Sequence, residues 1–414
     1  MVFFIYQTLI SIVLFFSPII IIYRTFKNKE NKLSIKEKFS FPSKKRGNGN
    51  LIWFHGSSVG EIISVIPIIR KYEKNKNIKQ ILITSSTLSS SKILKNLNLK
   101  KTIHQFYPID HFFFSNKFLN YWKPSTAFFI DSEIWPNTID NLKKKNIPII
   151  LLNGRITKKT FTKWKLLSNF AKNIFSKFNL CLASSNKSKN YLTILGAKKV
   201  KMIGNLKYSQ LEDEKNFLSE NIKKDLHSKK IWCASSTHES EETFCGLIHK
   251  RLKKKYKNLL TIIIPRHIER VDSIQKDLLK LNLKVQTHEP QKKIRSDTDI
   301  YIVNSYGKTK SFYNICKNVF LGGSLINHGG QNPLEAARFG CNILHGPNVS
   351  NFEEIYKFLK EKKISIKINN QKQMIKSINK LFQQRSNSNF AQKKLKLIGQ
   401  KILNETYKEI RSYL

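Results

Sequence analysis

Leu51-Ile52-Trp53-Phe54-His55-Gly56-Ser57-Ser58-Val59-Gly60-Glu61 joins a short apolar run to a Gly/Ser turn and the opening of a helix. A short apolar run bounded by a turn signal reads as a buried strand, and 62–72 beyond it has helical spacing. Working outward, 80–84 reads as a second strand, followed by a Ser/Thr loop and a helix. Further strands are expected at 127–131, 147–152, 180–184 and 200–203. A second series is expected at 230–234, 259–264, 284–287, 300–303, 319–321 and 342–344, with helices between. Strands alternating with helices predict parallel sheets. The break between the two series falls near 204–224. Two doubly wound units predict an α/β protein with two Rossmann-like domains facing a cleft, with ligands beyond the carboxyl ends of the strands. The length of 414 residues agrees, because single cores rarely grow past about 250–300 residues.

The N-terminus has a different character. Residues 2–23 carry no charge, and Arg24 is the first charged side chain. As one helix this run measures about 33 Å, enough to cross a hydrocarbon core of about 30 Å. Pro18 can kink such a helix without forbidding it. A cleaved signal peptide has basic residues before its apolar run, whereas here Arg24, Lys27, Lys29 and Lys32 follow it. That order predicts an uncleaved inner-membrane anchor with the rest of the chain cytoplasmic. The alternative is a helix lying in the membrane interface. It requires apolar residues on one face, and here they go nearly all round. Residues 24–50 read as a basic linker or juxtamembrane helix.

Lys and Arg number 74 against 28 Asp and Glu, a formal net charge of +46. Such an excess suits an anionic membrane surface or a phosphorylated substrate. The lysine excess also accompanies abundant Asn and Ile, whose codons are all A/T-rich, so composition bias is a second source. Nucleic-acid binding predicts clustered basic residues with interleaved aromatics; here the lysines are diffuse, and nucleic acid is not an expected partner. The five cysteines include no CxxC pair. They suggest neither a disulfide framework nor a metal site.

Six segments carry candidate chemistry. Glu61 stands in a first helical turn beyond a strand, where a carboxylate can take a proton from an attacking hydroxyl; Ser58 and Glu61 also have the spacing of a capping box, and spacing by itself favours the cap. Asp131-Ser132-Glu133-Ile134-Trp135-Pro136 ends a strand in two acids, suiting either a site or a solvated turn. Gly204-Asn205-Leu206-Lys207 offers a cation for a phosphate or carboxylate. Ser235-Ser236-Thr237-His238-Glu239 reads as a strand-to-helix turn, with Ser236 and Glu239 again at capping-box spacing and backbone N–H groups available to an anion. Pro265-Arg266-His267 follows a very apolar strand, and Arg266 can grip a phosphate bidentately. Gly322-Gly323-Ser324 and Gly329-Gly330-Gln331-Asn332-Pro333-Leu334-Glu335 allow close backbone approach. There Asn332 reads as N-cap, Pro333 as N1 and Glu335 as N3 of a helix whose start can meet a nucleotide phosphate.

Taken in this order, with Gly154-Arg155 and Gly346-Pro347…Asn351-Phe352, the segments resemble the Kdo (3-deoxy-D-manno-octulosonic acid) transferase family of lipopolysaccharide biosynthesis, from the N-terminus to about residue 360. The resemblance implies a GT-B-like fold, CMP-Kdo as donor and a lipid A precursor as acceptor. It also implies inversion at the anomeric carbon with no obligatory metal or other cofactor. Glu61 matches the general base, and Glu133 and Lys207 match positions that support the transition state. Donor-binding positions fall on Pro265, Arg266, Tyr306, Gly307, Lys308, Asn332, Pro333, Leu334 and Glu335. The chain departs from the family at Lys308, usually Glu, and at Gln331, often His. The expected layout is a membrane anchor at 1–23, a basic linker at 24–50, an acceptor-side domain at 51–210, a nucleotide-sugar-binding domain at 211–388 and a C-terminal helix at 389–414. Another GT-B enzyme using a UDP-sugar, or a membrane-tethered polyanion-binding protein without catalysis, are the competing readings. Glu61 is expected to be ionised at neutral pH unaided.

Overall fold

The computed structural model describes residues 2–210, 218–384 and 388–414; the expected domain break lies partly outside them. The described residues form two compact units. The first runs to residue 210 and takes back Ile398–Leu414; the second holds those from 218 to 397.

In the first unit seven strands are all parallel: β1 (Leu51–His55), β2 (Gln80–Ser85), β3 (Thr102–Phe106), β4 (Thr126–Ile130), β5 (Ile149–Gly154), β6 (Leu180–Ala183) and β7 (Val200–Met202). Their order is β3-β2-β1-β4-β5-β6-β7. Chain order reverses between β1 and β4, which makes their carboxyl ends the switch point at which such sheets bind ligands. Every residue of β1 is buried, as expected of a strand covered on both faces. Leu51 and Trp53 enter one core with Phe129 and Leu151. Ile52 and Phe54 enter the other with Phe128 and Ile130. The period of two thus divides a continuous apolar run between two layers.

The second unit repeats the plan with β8 (Lys230–Thr237), β9 (Leu259–Pro265), β10 (Val285–Thr287), β11 (Ile300–Ile302), β12 (Asn318–Leu321), β13 (Asn342–His345) and β14 (Ser365–Lys367). All are parallel, in the order β10-β11-β9-β8-β12-β13-β14.

The N-terminal apolar run does not form one continuous helix. Residues 2–26 form two helices, α1 (Val2–Phe15) and α2 (Ser17–Phe26), bent by 55°. Among the described residues no single helix is long and apolar enough to cross a membrane. Pro18 lies in the first turn of α2, where it lacks the N–H that would continue the ladder from α1.

Residues 24–50 are also more than a linker. Asn31 caps α3 (Lys32–Lys38) through a capping box. Glu37, buried, accepts the Phe106 N–H at 2.7 Å and the Gln105 amide at 2.8 Å, which ties this segment to β3. The last long helix, Ser388–Ile410, sends Ile402 and Ile410 into the first unit's core. Gly399 permits that approach, since a Cβ there would lie 2.3 Å from the Tyr208 carbonyl oxygen.

Candidate active site

In the first unit the switch point gathers His55 from β1, Asp131 and Glu133 from just beyond β4, and Asn153 from β5. The turn after β1 leads into α4 (Val59–Glu73). Ser58 caps α4, and the capping box is formed. The Glu61 carboxylate accepts the Ser57 N–H at 2.8 Å and the Ser58 hydroxyl at 2.8 Å. Those bonds fix its position and favour its ionised form, but other effects outweigh them. Burial, then the neighbouring charges of Glu133 and Asp131, push the Glu61 carboxyl up to about 7. This corrects the expectation of an unaided carboxylate: the fold raises the proton affinity of Glu61 into the neutral range.

Glu133 is the opposite case. Its Oε2 accepts from Ser57 Oγ at 2.5 Å, Trp135 Nε1 at 2.8 Å and His55 Nε2 at 3.2 Å. Burial pushes this carboxyl up, but the bonds from His55, Ser57 and Trp135 prevail and hold it below the ordinary range. Two carboxyl groups within one electrostatic neighbourhood are therefore driven apart, one towards the acid and one held as the anion, an arrangement that assigns proton-transfer roles.

Asp131 sits in the left-handed region at φ 58 and Asn153 at φ 54. Such strain is retained where surrounding bonds impose it. Asp131 Oδ2 pairs with Lys207 Nζ at 3.0 Å, and Asp131 Oδ1 accepts the Asn153 amide. Asn153 Oδ1 in turn accepts the Leu206 N–H at 2.9 Å, holding the turn that carries Lys207. Glu61, Glu133 and Lys207 thus belong to one cluster. Asp131, Asn153, His55 and Ser57 complete it. Of these four, only Asp131 had a sequence signal, as half of an acid pair at a strand end.

In the second unit, Arg266 follows β9, and its N–H donates to the Thr237 carbonyl at 3.0 Å. The Arg266 side chain is exposed. Two helix starts differ from expectation. Ser236 and Glu239 form no capping box: β8 continues to Thr237, and the helix begins at Glu241 without a side-chain cap. Asn332 accepts the Leu334 N–H at 3.1 Å, but from one position before the N-cap, because the helix is only Leu334–Arg338 with Pro333 as N-cap. That shifts Pro333 and Glu335 by one position. Tyr306 is exposed, Gly307 has φ +80, and Lys308 precedes the helix Thr309–Ile315.

Sequence reading gave Glu241 no role. It is fully buried, and its carboxylate accepts four backbone N–H groups: His238 at 3.0 Å, Gly323 at 2.7 Å, Ser324 at 3.2 Å and Leu325 at 3.0 Å. It joins the turn after β8 to the glycine loop after β12. Beside it His238 lies 4.3 Å from His328 and 5.8 Å from His267, ring centre to ring centre, with Gln331 Nε2 at 3.3 Å. Burial, then His328, His267 and nearby arginines, lower the His238 imidazole to about 4. This imidazole is uncharged at neutral pH, so attraction for an anion falls to the neighbouring arginines.

Residues 33–210 match the sequence pattern of a family described as "3-Deoxy-D-manno-octulosonic-acid transferase (kdotransferase)". A 3-deoxy-D-manno-octulosonic acid transferase from Rickettsia bellii is 32% identical over 397 residues, covering 94% of each chain. The chain belongs to the 3-deoxy-D-manno-octulosonic acid transferase family. It is therefore a glycosyltransferase. A second relative of the same name, from Rickettsia typhi, is 34% identical over 382 residues, covering 88% of this chain and 80% of its own. Among solved structures, a UDP-N-acetylglucosamine 2-epimerase shares the fold with a TM-score of 0.60 at 11% identity, covering 89% of this chain and 97% of the other. That likeness concerns the GT-B-like fold of two parallel-sheet α/β units. Kdo transferase membership gives the Glu61–Glu133–Lys207 cluster its chemical context.

Proposed function

We propose that the chain transfers Kdo from CMP-Kdo to a lipid A precursor, with inversion at the anomeric carbon, as a step of lipopolysaccharide synthesis. It works at the cytoplasmic face of the inner membrane, held there by its N-terminal apolar segment. The observation that carries this reading is Glu61, a positioned carboxyl with proton affinity raised into the neutral range, in a member of this family. An acceptor hydroxyl is a weak nucleophile, and a base matched to the working pH removes its proton as it attacks. The anion of Glu133 raises the basicity of Glu61 and favours the positive charge that grows on the sugar as CMP departs. Lys207, set by Asp131 and the Asn205 turn, offers its ammonium to the acidic substrates.

The acceptor side is residues 51–210, within the first unit. The donor side is residues 211–388, largely in the second. Arg266 takes the CMP phosphate, and Pro265 shapes the turn that presents it. Tyr306-Gly307-Lys308 and Asn332-Pro333-Leu334-Glu335 complete the nucleotide site, with Glu335 accepting from ribose hydroxyls. Incubation with CMP-Kdo and a lipid A precursor, followed by mass measurement of the lipid, tests the reading; an unchanged lipid mass refutes it. Competition by CMP but not UDP separates it from a UDP-sugar enzyme.

Two predictions arise at this point. Arg266→Ala weakens CMP binding by about 10–100-fold, the loss of a charge-assisted contact; titration calorimetry giving wild-type affinity removes Arg266 from the site. The transfer rate rises with pH through about 7, because Glu61 acts only after losing its proton. Glu133→Gln deletes a negative neighbour, so the same limb moves to lower pH. A limb that stays in place in this variant separates the two carboxyl groups.

A further inference from the structure

α1 does not stand away from the protein. Val2, Phe3 and Tyr6 pack on the first unit's core. The Phe3 and Tyr6 rings lie 6.1 and 6.2 Å from Phe170. Three polar contacts accompany them. Tyr6 donates to Asp110 at 2.8 Å, Gln7 donates to Asn137 at 3.2 Å, and Ser11 Oγ lies 3.4 Å from His111 Nε2. Asp110 and Asn137 are buried parts of the α/β unit. Asp110 also accepts the N–H groups of Asn137 and Thr138, at the start of the helix that follows Trp135. The first three turns of α1 are therefore fastened to a water-soluble domain, by partners that cannot enter hydrocarbon.

The opposite face of the helix pair is bare. Phe4 is 71% exposed, Phe15 79%, Ile19 67% and Phe26 82%. A contiguous apolar surface of this kind marks an interaction site. Phe113, two positions from His111, and Leu166 and Leu167, close in sequence to Phe170, are exposed as well. Exposed lysines flank these segments in sequence: Lys27, Lys29 and Lys32 after α2, and Lys158, Lys159, Lys163 and Lys165 before Leu166. An apolar face flanked by lysines is complementary to an anionic leaflet. With α1 held by those contacts, the chain beyond them is too short to cross the bilayer. From Ile12 to Phe26 it reaches about 22 Å even if straight, against about 30 Å of hydrocarbon, and it is bent by 55°.

We infer that α1 and α2 form an in-plane wedge, latched to the first unit on one side and sunk into the cytoplasmic leaflet on the other, without crossing the bilayer. This inference rests on the membrane reading above. The wedge sets the height and tilt of the acceptor-side unit over the lipid. The full-length protein can be tested in membrane vesicles, with one cysteine inserted between Met1 and Val2 and, separately, Lys29→Cys. The five native cysteines are all buried and give little background. In inverted vesicles, whose cytoplasmic face is outward, a membrane-impermeant maleimide labels both positions as fully as it does after detergent. An N-terminal cysteine protected in inverted vesicles and labelled in right-side-out ones overturns the wedge while leaving membrane attachment intact. Release of the protein by an alkaline carbonate wash, as monomer or dimer, sinks the membrane reading itself.

Discussion

Glu61→Gln leaves the fold intact and lowers Kdo transfer by about 10²–10⁴-fold, the usual contribution of a positioned general base. The substitution separates two roles that coincide at this residue. Glu61 is a capping-box residue with its bonds to Ser57 and Ser58 in place. Gln serves the same box nearly as well, and losing a cap outright costs only about 1 kcal/mol. A cap is therefore worth a few degrees in melting temperature, and a base is worth orders of magnitude in rate. Gln cannot accept a proton, so the rate falls while the melting temperature holds. Wild-type turnover with a lowered melting temperature would establish the cap alone. Substrate binding is a second readout: acceptor KM changes little, because the loss is confined to the transition state.

The largest effect on stability falls on Glu241→Gln. Four backbone N–H groups converge on that buried carboxylate. The amide turns one acceptor into a donor facing donors, and the buried groups left unpaired cost about 2–4 kcal/mol. Denaturant unfolding monitored in the second unit shows a lower midpoint with an unchanged slope. CMP affinity falls in the same variant, since the Gly322–Leu325 loop loses its fixed position. A midpoint within error of wild type would mean that the loop holds itself.

The alternation of apolar runs with helical segments was enough to read the central strands, because parallel strands covered on both faces leave unmistakable apolar stretches. β3 and β14 escape that pattern. Both lie at sheet edges, where Thr102, Ile103 and His104 are only half-buried and Ser365–Lys367 is very short. The site divides in the same way. Glu61, Glu133, Lys207 and Arg266 are polar residues just beyond strand ends, visible as chemistry following apolar runs. Glu241 is invisible in sequence because its partners include the loop after β12, some eighty positions away. The proposed cap at Ser236 and Glu239 had correct spacing in the wrong conformation, since the strand runs on through Thr237.

For the N-terminus the division is sharper still. Residues 2–23 are uncharged and apolar nearly all round, which by itself marks a segment that gains by burial away from water. It does not determine what each face meets. Apolar residues on every side fit a lone spanning helix, and equally a helix with one stripe on a protein core and the rest in lipid. The tertiary structure adds the stripe on the protein core, through Tyr6 on Asp110, Gln7 on Asn137 and Phe3 on Phe170. Likewise, the residue types of the candidate site were present in the sequence from the outset. The proton affinity of Glu61 was not, because it depends on burial and on two carboxylates, Glu133 and Asp131, that the fold brings to it from about seventy residues away. Periodicity is a local property and survives in the sequence. Charge–charge energy and the choice of neighbour depend on distance in space, which only the folded chain defines.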